Sequence, residues 1–314
     1  MGPATEALAV SRDPYRLHTD ITPGVGLPVL LLHGFPDSSR LHDRLLPRLE
    51  GRMPAVRFDF LGWGKSGKPR GCACTAANQM GGLVAVADAV SARLDARRLV
   101  LVGHSYGGSM ITNAATGNSN VRSLVYIAGF APEKGESAAE LLAKFPGSRL
   151  ADAFNAVPIP KDQGAVDLYV KPDRFRDVFL SNRLSTAEAA VAAASQRPAT
   201  PATSNERSGA PAWKTIPSWF LVSTDDRAIG TANLRFMAER ARARTVEADA
   251  PHAACLTAPN AVTDLILDAA GTRSLAHTGS SARTAAAMSG AAAAIGLGTA
   301  LLWSARGRRQ SSRA

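Results

Sequence analysis

The pentapeptide Gly103-His104-Ser105-Tyr106-Gly107 decides how this chain is read. It follows the apolar run Leu99-Val100-Leu101-Val102 and precedes a stretch, Ser109 to Ala115, that suits a helix. A strand, a G-x-S-x-G turn and a helix, in that order, put a serine on a sharp, strained corner with its hydroxyl exposed above a sheet. The glycines at 103 and 107 let the two backbones approach where a side chain would clash. The same pentapeptide also arises as a plain small-residue strand-to-helix turn, so the surrounding sequence has to carry the reading.

Outward from the turn, short apolar runs recur at Val29–Leu32, Val56–Phe58, Leu99–Val102 and Ser123–Ile127, as expected of strands buried on both faces. Helical patterns at 38–50, 75–95 and 109–115 separate them. This alternation predicts an α/β fold with a mostly parallel sheet and helices on both faces. After Ala128 the next convincing strand is Trp219–Val222, about ninety residues on, where a crossover needs only about a dozen. Residues 131–212 are therefore expected to be a helical lid inserted at the carboxyl edge of the sheet. A Pro/Ser/Thr/Ala-rich linker over 197–211 closes it, and residues 213–271 complete the core begun at 27–130. Residues 1–26 are expected to add an edge strand.

The net charge of +10 first suggests a polyanionic partner. Six arginines (273, 283, 306, 308, 309 and 313) follow Asp268 with no acid among them; without them, 30 basic residues face 26 acidic ones. The body is only mildly basic and shows no basic stripe with interleaved aromatics, so a nucleic-acid partner is not expected. Cys72, Cys74 and Cys255 form neither a disulfide framework nor a zinc-site spacing. No metal or cofactor is expected. Residues 1–15 carry Glu6, Arg12 and Asp13 and have no apolar run of signal-peptide type, which favours a cytoplasmic location.

A serine nucleophile needs a base, a group to orient that base, and donors for the oxyanion. For this kind of turn the chain order is serine, acid, histidine. His252, in Ala250-Pro251-His252-Ala253 after the last strand, has the right order and a loop setting. The acid belongs in the loop after Trp219–Val222, where Asp225 and Asp226 both stand. One oxyanion donor is the Tyr106 N–H, directly after the serine; the other is the Phe35 N–H in His33-Gly34-Phe35-Pro36-Asp37, directly after Val29–Leu32.

HGFPDSS (33–39), DFLGWGKSGKP (59–69), GHSYGG (103–108), STDDRAI (223–229) and the His252 loop together resemble the α/β-hydrolase superfamily, in an order that spans about 27 to 270. The resemblance implies the α/β-hydrolase fold. DFLGWGKSGKP is similar to haloalkane dehalogenases and epoxide hydrolases; those families place an aspartate at the turn, so with Ser105 here their chemistry does not carry over. From GHSYGG onward, with LVYIAGFAP (124–132), the chain looks more like the methylesterase and hydroxynitrile-lyase branch. There the second acid of the loop, followed by x-x-Ile, completes the triad, which implies Asp226 rather than Asp225. Gly230, where such sequences often carry proline, and Pro251 before the histidine depart from the pattern.

The expected activity is hydrolysis of small to medium apolar carboxylic esters through an acyl-Ser105 intermediate, without a cofactor. The alternatives are a hydroxynitrile lyase or a perhydrolase using the same triad, or a hydrolase homologue that binds a ligand with little turnover. Residues 272–314 form an Ala-rich basic tail. Its uncharged stretch 285–303 has a bilayer-spanning length but few strong aliphatics, so membrane contact through the tail is the alternative to a cytoplasmic location.

Overall fold

The computed structural model describes residues 5–12, 14–69, 74–159 and 164–272. The tail from 273 onward, with the 285–303 stretch, lies outside them, as does Cys72. Among the described residues no helix is long and apolar enough to cross a membrane.

Four short strands open the chain: β1 (Glu6–Ala7), β2 (Val10–Arg12), β3 (Tyr15–Leu17) and β4 (Thr19–Thr22). β2 and β3 pair as a separate ribbon, while β1 and β4 form the antiparallel edge of the main sheet. Next come β5 (Val29–Leu32), β6 (Ala55–Phe58), β7 (Leu99–His104) and β8 (Val121–Ile127). β9 (Phe154–Pro158) and β10 (Val166–Val170) make an antiparallel pair outside the main sheet; β11 (Ser218–Ser223) and β12 (Arg244–Ala248) complete it. The order is β1-β4-β6-β5-β7-β8-β11-β12, with every pair from β6 to β12 parallel.

The helices are α1 (Leu46–Leu49), α2 (Ala76–Leu94), α3 (Tyr106–Ala114), α4 (Ala138–Leu142), α5 (Pro172–Leu180), α6 (Thr186–Ser195), α7 (Pro201–Asn205), α8 (Thr231–Arg240), α9 (Ala254–Thr257) and α10 (Pro259–Ala270). Successive residues of a strand face opposite sides, so an unbroken apolar run fills two cores at once. Leu30, Leu32, Leu101, Tyr126 and Phe220 pack in one layer, and Val29, Leu31, Val100, Val102 and Leu221 in the other. Burying each such side chain contributes about 1.5–3 kcal/mol.

After β5 the chain moves outward to β6 and then returns to β7 on the other side of β5. At such a reversal the loops leaving the carboxyl ends diverge and open a crevice. Leu32 pairs with Gly103, so the loops that carry Phe35 and Ser105 leave the sheet side by side. At Gly103 an added Cβ would lie 2.5 Å from the Gly107 backbone; only glycine lets α3 start so close to the strand it follows.

Three local expectations need correction. The helix expected over 38–50 is a 3₁₀ turn (Ser39–His42) followed by α1, because Pro47 near the start of α1 has no N–H to continue an earlier helix. The helix expected from 109 starts at Tyr106, directly on the turn. Residues 131–212, expected to be helical, hold α4 to α7 together with the β9–β10 pair, built where Val157, Val166, Tyr169 and Val170 favour extended backbone. Within the expected linker, Thr200 accepts the Thr203 N–H and Pro201 opens a helical turn, which makes α7.

Candidate active site

Ser105 is the corner between β7 and α3, with φ +53° and ψ −124°, a conformation an L-residue holds only under the compulsion of its surroundings. Its carbonyl accepts the N–H groups of Gly108 and Phe130, and its own N–H donates to Ile127. The residue is 5% exposed. Tyr106 opens α3, so its N–H has no acceptor within the helix and points out of the positive end of the helix dipole.

The loop after β5 lies against this corner. A Cβ on Gly34 would fall 2.6 Å from Ser105 Cβ and 2.9 Å from the Tyr106 nitrogen, so any side chain there would push the loop off. The next residue, Phe35, has an N–H that donates to no group among the described residues. His33 pins this loop: the Phe60 N–H donates to its Nε2 (3.1 Å), which leaves Nδ1 to carry the proton and donate to the Gly34 carbonyl (2.9 Å). Asp59 anchors the neighbouring loop by accepting the Ser39 and Lys65 N–H groups, and Gln79 clamps Leu61 through both its amide oxygen and its amide nitrogen. Thus HGFPDSS and DFLGWGKSGKP are two halves of one hydrogen-bonded wall. The bonds that join them run between motif residues, His33 to Phe60 and Ser39 to Asp59, while Gln79, which clamps the second segment from α2, carries no motif signal in the sequence.

Asp226 follows β11 and His252 follows β12, and the sheet brings them together: His252 Nδ1 donates to Asp226 Oδ2 at 2.7 Å. Both are buried. The other carboxylate oxygen, Oδ1, accepts the N–H groups of Ala228, Ile229 and Gly230. Burial works against the charge of Asp226, but the His252 ring and these backbone donors outweigh it and hold the carboxyl below its ordinary range. An ionised Asp226 only accepts, so Nδ1 carries the proton shared with it, and in the neutral ring Nε2 then keeps its lone pair. Nε2 is buried with no hydrogen-bond partner among the described residues.

Asp225 faces elsewhere. Its carboxylate meets Arg183 (3.3 Å) and Arg227 (3.2 Å), part of a surface network with Asp177 and Asp249. Asp37, two residues after Phe35 in the same motif, has a property the sequence did not signal. Burial pushes its carboxyl up to about 6, against the opposing pull of His252.

Ser105, His252, Phe35 and Tyr106 line one cavity of about 390 Å³. Phe60, Trp63 and Phe130 contribute rings to its wall; the insertion adds Phe179 together with Leu142, Leu150, Phe154 and Leu168. Gln79, Thr203, Ser204 and Asn205 bring neutral polar groups, and among the described residues no Asp, Glu, Lys or Arg is in the wall. Among the described residues no cluster of His, Cys, Asp or Glu has the makings of a metal site.

The chain is 30% identical over 186 residues to Alpha/beta hydrolase nvfD of Aspergillus novofumigatus, an alignment covering 55% of this chain and 70% of that protein. It is 33% identical over 126 residues to a haloalkane dehalogenase of Agrobacterium fabrum, covering 40% of each. A thermophilic esterase from Thermogutta terrifontis superposes with a TM-score of 0.61 at 19% identity, over 84% of this chain and 97% of that one, a likeness of fold. The model of the alpha/beta hydrolase family matches residues 29–265, from the first residue of β5 into α10, and the chain belongs to that family.

Proposed function

We propose that the protein is a serine hydrolase of small to medium, uncharged, largely apolar carboxylic esters. The observation that carries this reading is the Asp226–His252 pair, 2.7 Å apart, whose unpartnered Nε2 shares an uncharged, aromatic-walled cavity with Ser105. In this reading His252 Nε2 takes the Ser105 proton as the serine oxygen adds to the ester carbonyl. The Phe35 and Tyr106 N–H groups hold the oxyanion, where one such donor is worth about 3 kcal/mol of transition-state stabilisation. Imidazolium, stabilised by Asp226, then protonates the departing alcohol, and water repeats the sequence on the acyl-enzyme. A wall with no charged side chain among the described residues favours substrates that bring no charge into it, because an unpaired ion there would lose its hydration without compensation.

The test is a series of p-nitrophenyl esters from acetate to dodecanoate, with Ser105→Ala as control. Hydrolysis that peaks at short or medium chains and is abolished in the variant supports the reading. No hydrolysis of any ester, with cyanide release from mandelonitrile instead, replaces it with a lyase. Saturable binding without turnover replaces it with a ligand-binding role.

A further inference from the structure

His104 stands at the first variable position of the G-x-S-x-G turn, as the last residue of β7. Its side chain is fully buried, and its Nε2 lies 3.0 Å from the backbone carbonyl oxygen of His252, 148 positions away in sequence. A carbonyl only accepts, so Nε2 carries the proton and donates. The two imidazole rings lie 4.7 Å apart between centroids, tilted by 55°. Phe179 packs edge-to-face on the His252 ring, centroids 5.4 Å apart, and its carbonyl accepts the Ala253 N–H.

His252 is in a loop between β12 and α9. Two side chains distant in sequence reach it: Asp226 holds the ring through Nδ1, and His104 holds the backbone through the carbonyl. We propose that His104 is a positioning residue for His252, tying the loop that carries the imidazole to the turn that carries Ser105, so that nucleophile and base keep one spacing. This rests on the reading of Ser105 as nucleophile and His252 as base. Serine and histidine come from different parts of the chain, and an ångström of relative drift is enough to lose much of the advantage of orientation. The tie needs only a proton on Nε2, which this tautomer and the imidazolium both carry. The ionisable groups that face it are His252, Asp226, His33 and His42; burial, with His252 next in weight, pushes it down to about 3. The donor is therefore the same throughout the range in which a histidine base works.

The experiment compares His104→Phe, which keeps a ring and loses the donor, with His104→Gln, whose amide N–H can reach the carbonyl. Turnover of p-nitrophenyl butyrate is measured per active site, counted by end-point labelling with a fluorophosphonate. The phenylalanine variant is expected to lose ~10- to ~100-fold in kcat with KM within about threefold, and to label Ser105 more slowly in proportion. The glutamine variant is expected to stay within about fivefold of the parent. A purely structural His104 would lower the number of labelled sites and leave kcat per site unchanged, and that result overturns the proposal. If the phenylalanine variant does not fold, His104→Asn takes its place, with an amide too short to reach: asparagine well below glutamine supports the tie, and equal rates per site overturn it. His252→Ala is run alongside. Should it retain turnover, the base assignment fails; should it be inactive while His104→Phe is normal per site, only the positioning role fails.

Discussion

The loops at the carboxyl ends of β5, β7, β11 and β12 and the insertion between β8 and β11 meet in one cavity, yet they are built differently. In the loops each critical atom is over-determined. Asp226 accepts four donors, His33 spans two loops, and Gly34 leaves no room for a side chain. The insertion is a series of short helices and an exposed strand pair that contributes apolar side chains at a few points, such as Leu142 and Phe154. On the proposed reading the loops carry the reaction, and the insertion selects the molecule that undergoes it. Each side of that contrast can be attacked separately.

The largest effect belongs to the loops. Ser105→Ala and His252→Ala are each expected to lower kcat for p-nitrophenyl butyrate by several orders of magnitude, with the double variant little worse than either, since triad members act as a unit. Near-parental kcat in His252→Ala would send the search for the base elsewhere.

Next come the adjacent aspartates. Asp226→Asn is expected to cost about 10⁴-fold in kcat by losing the tautomer and the charge that supports imidazolium. Asp225→Asn loses contacts to two half-exposed arginines, and such pairs are worth about 0–1 kcal/mol of stability, so its kcat stays within about tenfold. Kinetics of the two variants side by side decide the matter; the reverse ranking would move the acid to Asp225.

Smaller effects are expected from the insertion. Leu142→Ala and Phe154→Ala enlarge the cavity, so kcat/KM for the longer esters should rise or fall by about tenfold while that for acetate changes by less than about threefold. An equal loss on every ester would show that the insertion positions the catalytic groups rather than selecting among substrates.

Asp37 offers a stability test. Its carboxyl is raised in the folded state, so its contribution is fully present below about pH 4, the unfolded value, and is lost as pH rises through about 6. Asp37→Asn, which mimics the neutral form, should raise Tm at pH 8 and leave it unchanged at pH 4. An equal gain at both values would assign the effect to something other than ionisation.

The smallest effect expected is that of deleting residues 278–314, beyond the closing helix α10 and all residues of the proposed site. kcat should not change. Fractionation of cells expressing both forms tests the membrane alternative. Carbonate-resistant pelleting of the full-length chain alone would make 285–303 an anchor.

The parallel sheet, the corner at Ser105, the loop of Phe35 and the order of acid and histidine were legible in the chain because each rests on a local signature. Short unbroken apolar runs, alternating with helical patterns, suit strands buried on both faces, and glycines beside a serine after such a run suit a backbone corner. The choice between Asp225 and Asp226 was not legible from charge, since both are aspartates in one loop; resemblance alone favoured the second. The β11–β12 register and the Ala228–Gly230 amides turn Asp226 inward, while Arg183 and Arg227 hold Asp225 outward. The Gln79 clamp, the raised Asp37 carboxyl and the link from His104 to His252 have no local pattern. Each depends on which distant segment happens to bury it, and burial and partnership between distant residues are decided only when the chain has closed on itself.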